Sequence, residues 1–361
     1  MERSKTSSMT TEPRITVMHP HSSPRPRTGP AVTLEMVAAR AGVGRQTVSN
    51  AINSPELLRP QTLERVRHAI DELGYRPHRA AQALKTRASR LIGYGIRSSS
   101  TRVPTPVLDQ FLHSLSEAAD RAGYRVVLFA VAPGDDELTS YQQLLDEHGA
   151  DGFVLSGTDR GDRRQGWLHE RGVPFVAFGR TWSGKDVGDW VDVDGAAGTS
   201  AAVRHLAGLG HRRIGFLGWP KGSGVGDDRA RGWQSAMREL GLPTRGRRVA
   251  SPDDPEQATE AAEKLLATGA TAVVAASDTL ALGWYRALRR AGRGPGPEAA
   301  VIGFDDSPIA PLLFPSLSSL AQPLDAVGRT CMRLLLDRLG DRDRPTEHIL
   351  LEPELVLRES V

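Results

Sequence analysis

The chain has 361 residues, 39% of them hydrophobic, and a formal net charge of +3. That length predicts two or three domains rather than one. No run of about 18 apolar residues marks a membrane span, and the single cysteine, Cys331, excludes an intrachain disulfide or a cysteine-built metal site and fits a reducing cytoplasm. The charge is unevenly spread: residues 1–90 carry 15 Lys and Arg against 7 Asp and Glu, a balance of +8, and the remainder carries 31 against 36, a balance of −5. A basic front on a mildly acidic body fits a nucleic-acid contact confined to the first quarter of the chain.

Residues 1–30 are rich in Ser, Thr, Pro and Arg and have no apolar segment of signal-peptide type. They are expected to form a disordered arm. Order begins with TLEMVAARAGVGRQTVSNAIN, Thr33 to Asn53. Thr33 suits a helix N-cap. Val37, Ala38 and Ala41 recur at helical spacing, and Gly42 supplies the left-handed turn that ends the helix. A second helix is predicted from about Arg45 to Ile52, with Val48 and Ile52 facing inward. That leaves Arg45, Gln46, Ser49 and Asn50 outward, side chains able to hydrogen-bond base edges or phosphates. Two short helices about a glycine turn fit a helix-turn-helix, although a plain helical hairpin has the same pattern.

A third helix opens at Pro60, carries Val66, Ile70 and Leu73 at i, i+4 and i+7, and closes at Gly74. GYRPHRAAQALKTRASRLIGYGI follows. This region closely resembles the lactose-repressor (LacI) family of bacterial transcription regulators. The matching positions are Thr33, Leu34, Val37, Ala38, Ala41, Gly42, Val43, Thr47, Val48, Ser49 and Asn53, then Leu73, Gly74, Tyr75, Pro77, Ala80, Leu84, Ile92 and Gly93. Two positions depart: Gly44 stands where the family usually has Ser, and His78 where Asn is usual. The resemblance implies that residues 77–90 are a hinge helix and linker, with Leu84 wedging into the minor groove at the operator centre. His78 and Arg79 are placed beside it on DNA. The alternative is a linker in which Leu84 packs on the core.

From Ile92 onward strand and helix patterns alternate: LIGYGI, YRVVLFAV, DGFVLSG, PFVAFG, RIGFLG, AVVAAS and AVIGFD read as buried parallel strands. The expected architecture is a small all-α helix-turn-helix head (31–76) on an α/β core (91–361) of doubly wound parallel sheets. By resemblance the core is periplasmic-binding-protein-like, with an N-lobe of about 91–187 plus 321–341 and a C-lobe of about 188–320 plus 342–361.

Ligands in open α/β sheets lie beyond the carboxyl ends of the strands. That rule selects Gly179, Arg180 and Trp182 after PFVAF, Trp219 and the GSGVGDDR loop after RIGFLG, Asp278 after AVVAAS, and Asp305 and Asp306 after AVIGF. Carboxylates and Arg suit sugar hydroxyls, and indole rings suit the apolar faces of sugars. The resemblance adds Arg229, before Gly232-Trp233, and Gln322 at a crossing between lobes. Asp278 and Asp305 could instead cap helices, and Trp182, Trp190 and Trp219 could instead pack in the core. GSGVG lacks the ending of a phosphate loop. Asp305-Asp306 has no third ligand nearby in sequence, so no metal, cofactor or catalytic set is expected.

The expectation is a DNA-binding regulator, a repressor of sugar-utilisation genes rather than an enzyme. It would sit as a homodimer on a palindromic operator and be released by a small sugar. Arg45, Gln46 and Asn50 would read bases, while Thr33, Thr47, Ser49 and Asn53 would hold phosphates. The alternative is a sugar-binding protein without specific DNA recognition. No leucine heptad follows the last strand pattern, so no tetramerising helix is expected.

Overall fold

The computed structural model describes residues 32–75, 88–97, 106–131, 137–184 and 187–361. The expected arm and hinge, with His78, Arg79 and Leu84, lie outside the described residues. The chain divides into two compact units, one for the head and one for the body.

The head is α1 (Leu34–Ala41), α2 (Arg45–Asn53) and α3 (Pro60–Leu73). Thr33 caps α1 in extended backbone, its hydroxyl accepting from the Met36 amide at 3.4 Å. Gly42, at φ 64°, turns the chain out of α1, in a left-handed conformation that side chains with a Cβ seldom adopt. Val37, Val48 and Val66 are fully buried, one from each helix, and Tyr75 closes the base of the cluster. Each such burial contributes about 1.5–3 kcal/mol, which is how so few residues hold three short helices together. Arg40 on α1 pairs with Glu72 on α3 at 2.7 Å at the surface.

The body holds two six-stranded sheets. The first runs β11 (His348–Leu351), β5 (Asp189–Val193), β4 (Phe175–Phe178), β3 (Gly152–Leu155), β1 (Leu91–Arg97), β2 (Arg125–Val131), all parallel. The second runs β12 (Glu354–Val356), β10 (Ser318–Ala321), β9 (Ala300–Asp305), β8 (Ala272–Ala275), β6 (Ile214–Gly218), β7 (Arg248–Ala250). Only β12 there is antiparallel to its neighbour. Helices α4 (Pro106–Arg121), α5 (Glu137–Asp146) and α6 (Arg164–Glu170) belong to the first lobe. Helices α7 (Gly195–Gly208), α8 (Gly224–Glu239), α9 (Pro255–Ala267) and α10 (Asp278–Arg290) belong to the second. The last helix, α11 (Leu324–Gly340), returns to pack on α4 and on β3, β4 and β5.

The crossings between lobes differ from those expected. The first follows β5, at Asp194, because Asp189–Val193 hydrogen-bonds to β4 and belongs to the N-lobe sheet. The third lies at 352–353 rather than near 342. HILLEPELVL reads as one strand pattern, yet its halves sit in different sheets: His348–Leu351 pairs with β5 and Glu354–Val356 with β10. Pro353, with no amide hydrogen to donate to a ladder, stands at the break. The strand β5 escapes the sequence reading because two carboxylates, Asp189 and Asp192, interrupt its apolar run. Both are buried and paired: Asp189 with Arg338 at 3.0 Å, and Asp192 with Arg180 at 2.7 Å.

Candidate functional site

In the head, α2 presents Arg45, Gln46 and Asn53 as exposed side chains and Thr47, Ser49 and Asn50 as half-buried ones. Arg45 lies 3.2 Å from Glu35 across the turn. Gln46 Nε2 donates to Asn50 Oδ1 at 3.0 Å, and Asn53 Nδ2 donates to the Ser49 carbonyl at 2.8 Å. Without DNA these groups satisfy one another, and base contact would exchange those bonds. Gly44 occupies the N-cap of α2 and offers no side-chain cap. Thr33 is exposed, with its hydroxyl already serving α1.

In the body, the carboxyl ends of the strands of both sheets face one cavity of about 550 Å³, within the range of roughly 300–1,000 Å³ common for small-molecule sites. Thr158 follows β3, Phe178 and Trp182 end and follow β4, and Asp192 ends β5. From the other lobe come Trp219 after β6, Asp253 after β7, Asp278 after β8, Asp305 at the end of β9 and Gln322 after β10. Asp228 and Arg229 enter from the second turn of α8, whose N-cap is Ser223. Leu108, Val193, Leu282 and Ile309 supply apolar wall.

Arg229 is the buried cation of the C-lobe wall. Its Nη1 donates to the Ala276 carbonyl and lies 3.5 Å from Asp305 Oδ1, and its guanidinium carbon stands 3.5 Å from the Phe304 ring centroid and 5.3 Å from that of Trp219. Burial pulls its pKa down, opposed by Asp305. Burial pushes the Asp305 carboxyl up to about 7, with Arg229 pulling the other way. Gln322 Nε2 donates to Asp305 Oδ1 at 2.7 Å. Asp305 sits at φ 108°, a conformation that holds its carboxyl toward Arg229.

Asp278 is also raised by burial. Its oxygens accept from the Ser307 amide and hydroxyl, both at 2.7 Å, and from the Ser319 hydroxyl at 2.6 Å. It does not cap α10; Ser277 does, accepting from the Leu280 amide. Asp278 thus braces the chain after β9 while lining the cavity. Arg180 stands behind the wall, bonded to Asp192 at 2.7 Å and 3.1 Å from Asp228. Trp190 does not line the cavity; it stacks on His348, ring centroids 4.7 Å apart.

Six residues expected from sequence therefore meet at one cavity: Trp182, Trp219, Arg229, Asp278, Asp305 and Gln322. The cavity also holds Thr158, Asp192 and Asp253, which sequence reasoning does not name, and Asp228, which it reaches only as part of the GSGVGDDR stretch. The strand-end rule would have found Asp192 and Asp253 had β5 and β7 been read as strands, and it reaches Thr158 directly after DGFVLSG. Four buried polar atoms of the cavity residues have no partner among the described residues: Thr158 Oγ1, Trp182 Nε1, Trp219 Nε1 and Arg229 Nε. Buried donors are costly to leave unpaired, so a wall holding several is suited to a polar guest.

Comparison with known proteins fits this two-part design. The family of bacterial regulatory proteins of lacI type matches residues 33–78, and the periplasmic binding protein-like domain matches residues 203–361. The HTH-type transcriptional regulator CelR of Thermobifida fusca is 34% identical over 91% of this chain and 98% of its own. The chain belongs to the lacI family. This lacI-family member is thus a DNA-binding transcription regulator, and its family consists of such regulators rather than enzymes. Among solved structures, a CelR–cellobiose complex superposes with a TM-score of 0.70 at 32% identity, covering 91% of this chain and all of that one. The lac repressor dimer bound to operator and the anti-inducer ONPF gives a TM-score of 0.77 at 26% identity, over 92% of this chain and 99% of that one. Among the described residues no helix is long and apolar enough to cross a membrane.

Proposed function

We propose that this lacI-family regulator is a repressor that binds a palindromic operator as a homodimer and is released by a sugar, with a glucose-type disaccharide as the first candidate. The observation that carries the sugar reading is the composition of the interlobe cavity. It sets carboxylates and an Arg among indole and aliphatic surfaces, and it leaves four donors unpaired. Sugars present that pairing of hydroxyls and apolar ring faces. A chain similar over nine-tenths of its length was solved with cellobiose. On DNA, Arg45, Gln46 and Asn50 would read the major groove while Thr33, Thr47, Ser49 and Asn53 hold phosphates. His78, Arg79 and Leu84 would act at the hinge. In the core Trp182, Trp219, Arg229, Asp278, Asp305 and Gln322 would contact the sugar, with Arg180 orienting Asp192 and Asp228. The sugar shifts the equilibrium only to the extent that it binds the two lobe arrangements differently.

The test is fluorescence anisotropy of labelled palindromic duplexes at fixed salt, with and without cellobiose, maltose and their monosaccharides. Salt is held constant because phosphate contacts dominate affinity. Tight binding to one sequence, reversed by one sugar, is the expected result. Equal weak binding to every duplex would overturn the repressor reading. Specific binding that no sugar changes would overturn the sugar reading and leave the head intact.

A further inference from the structure

Two neighbouring aspartates at the start of α8 receive arginines from two successive loops of the other lobe. Arg160, in the loop after β3, lies 3.6 Å from Asp227. It also donates from Nη1 to the Trp182 carbonyl at 3.3 Å. Arg180, after β4, reaches Asp228 at 3.1 Å while its Nε holds Asp192 at 2.7 Å. Between these two pairs stands Trp182. The Arg180 guanidinium carbon lies 4.1 Å from its ring centroid. Against the same indole lies Gly224, the first residue of α8, where an added Cβ would fall 2.2 Å from the ring. Trp182 itself is held at φ 58°, a region that a bulky residue occupies only where its surroundings impose it.

Three of these contacts, Arg160–Asp227, Arg180–Asp228 and Trp182 against Gly224, join the lobes at one edge of the cavity. Arg160, Gly224 and Asp227 are not part of the cavity wall, while Trp182 and Asp228 are. We propose that they form a clasp that sets how firmly the lobes close on the effector, with Arg160 and Gly224 as positioning residues that touch no ligand. The proposal rests on the effector reading above for its consequence, though the clasp itself does not need a ligand. Its mechanism follows from the geometry. Arg160 ties the backbone of Trp182 to Asp227, so the indole is presented to the cavity only while α8 is docked. Gly224 allows that docking because only a residue without a side chain leaves room for the ring. A ligand that meets Trp182 and Asp228 together therefore reads the docked arrangement and is retained by it. Arg160 and Asp227 are partly exposed, so their attraction is modest and screened by salt. The Arg180–Asp228 pair is largely buried and is screened less.

The experiment uses the full-length protein. Hydrogen exchange in the absence of sugar follows the amides of residues 222–228. Arg160→Ala and Gly224→Ala are each expected to speed that exchange, and raising salt from about 0.05 to about 0.5 M should carry the wild type toward Arg160→Ala. Arg171→Ala, which removes a guanidinium stacked on Trp167 at 4.2 Å elsewhere in the N-lobe, should leave it unchanged. In stopped-flow with cellobiose as the probe, either clasp variant should raise the dissociation rate by about 3- to 10-fold and change association by less than about twofold. The double variant should fall short of the product of the two single effects, because both break one device. Wild-type exchange in both variants, or multiplicative effects in the double variant, would overturn the clasp. Faster exchange with no cellobiose binding would keep the clasp and count against the disaccharide reading alone.

Discussion

Arg229 Nη1 lies 3.5 Å from Asp305 Oδ1, and the contact joins the second turn of α8 to the end of β9 within the cavity wall. The same guanidinium keeps its Nε unpaired. The pair is therefore only part-used by the fold. We expect Arg229→Gln to weaken the effector by at least about 30-fold, since truncating one partner of a buried charged contact costs about 2–5 kcal/mol. Operator binding without effector should stay within about twofold. Titration of the released duplex against sugar checks both; a variant that still releases at the wild-type sugar concentration would exclude Arg229 from the contact.

Asp305 gives a pH signature. Its carboxyl is raised to about 7 in the folded chain by burial, against an ordinary 3.8. The fold thus favours the protonated form. That contribution is fully present below the ordinary value and is lost as pH rises through about 7. Asp305→Asn keeps a neutral side chain at every pH. The melting temperature of the wild type should fall relative to the Asn variant between pH 5 and 8, and parallel curves for the two would contradict the assignment.

On the head, Gln46 and Asn50 hold each other at 3.0 Å. If they are exchanged for base-edge contacts on binding, Asn50→Ala should cut discrimination between the operator and a mutated site by about 1–3 kcal/mol, roughly 5- to 150-fold. The slope of log affinity against log salt should not change, because no phosphate contact is removed. A changed slope with intact discrimination would place Asn50 on the backbone instead.

Leu312 and Phe314 are 80% and 93% exposed beside the buried Ala310. Apolar side chains so prominent on one short stretch suit burial against a second copy, and a similar chain was solved as a dimer on operator. Leu312→Ser with Phe314→Ser should shift sedimentation from dimer toward monomer and weaken the operator complex with it. An unchanged dimer would move the interface elsewhere.

The head was legible almost residue by residue, because capping, glycine turns and helical period act locally: Thr33, Gly42, Val48 and Gly74 stand where those rules put them. The strand-end rule found Trp219, Asp278 and Asp305 for a similar reason, since each follows an unbroken apolar run. What local pattern could not show was pairing at a distance. Asp189 and Asp192 look solvated in DWVDV until Arg338, 149 residues away, and Arg180 neutralise them. Sequence places Arg180 at the ligand because nothing in it reveals that Asp192 and Asp228 occupy that guanidinium first. HILLEPELVL hid a change of sheet because both halves carry strand-type residues.

Three separate stretches of backbone pass between the lobes, at Asp194, at 322–323 and at 352–353. A single link would let two bodies tumble independently, whereas three leave them little beyond a twist or a bend. Several side chains that face the guest, Thr158, Trp219 and Asp253, follow β3, β6 and β7 and lie on none of those crossings. A lineage can therefore trade one guest for another by altering those loops, as Thr158, Trp219 and Asp253 invite, without redesigning the transmission that carries the signal outward.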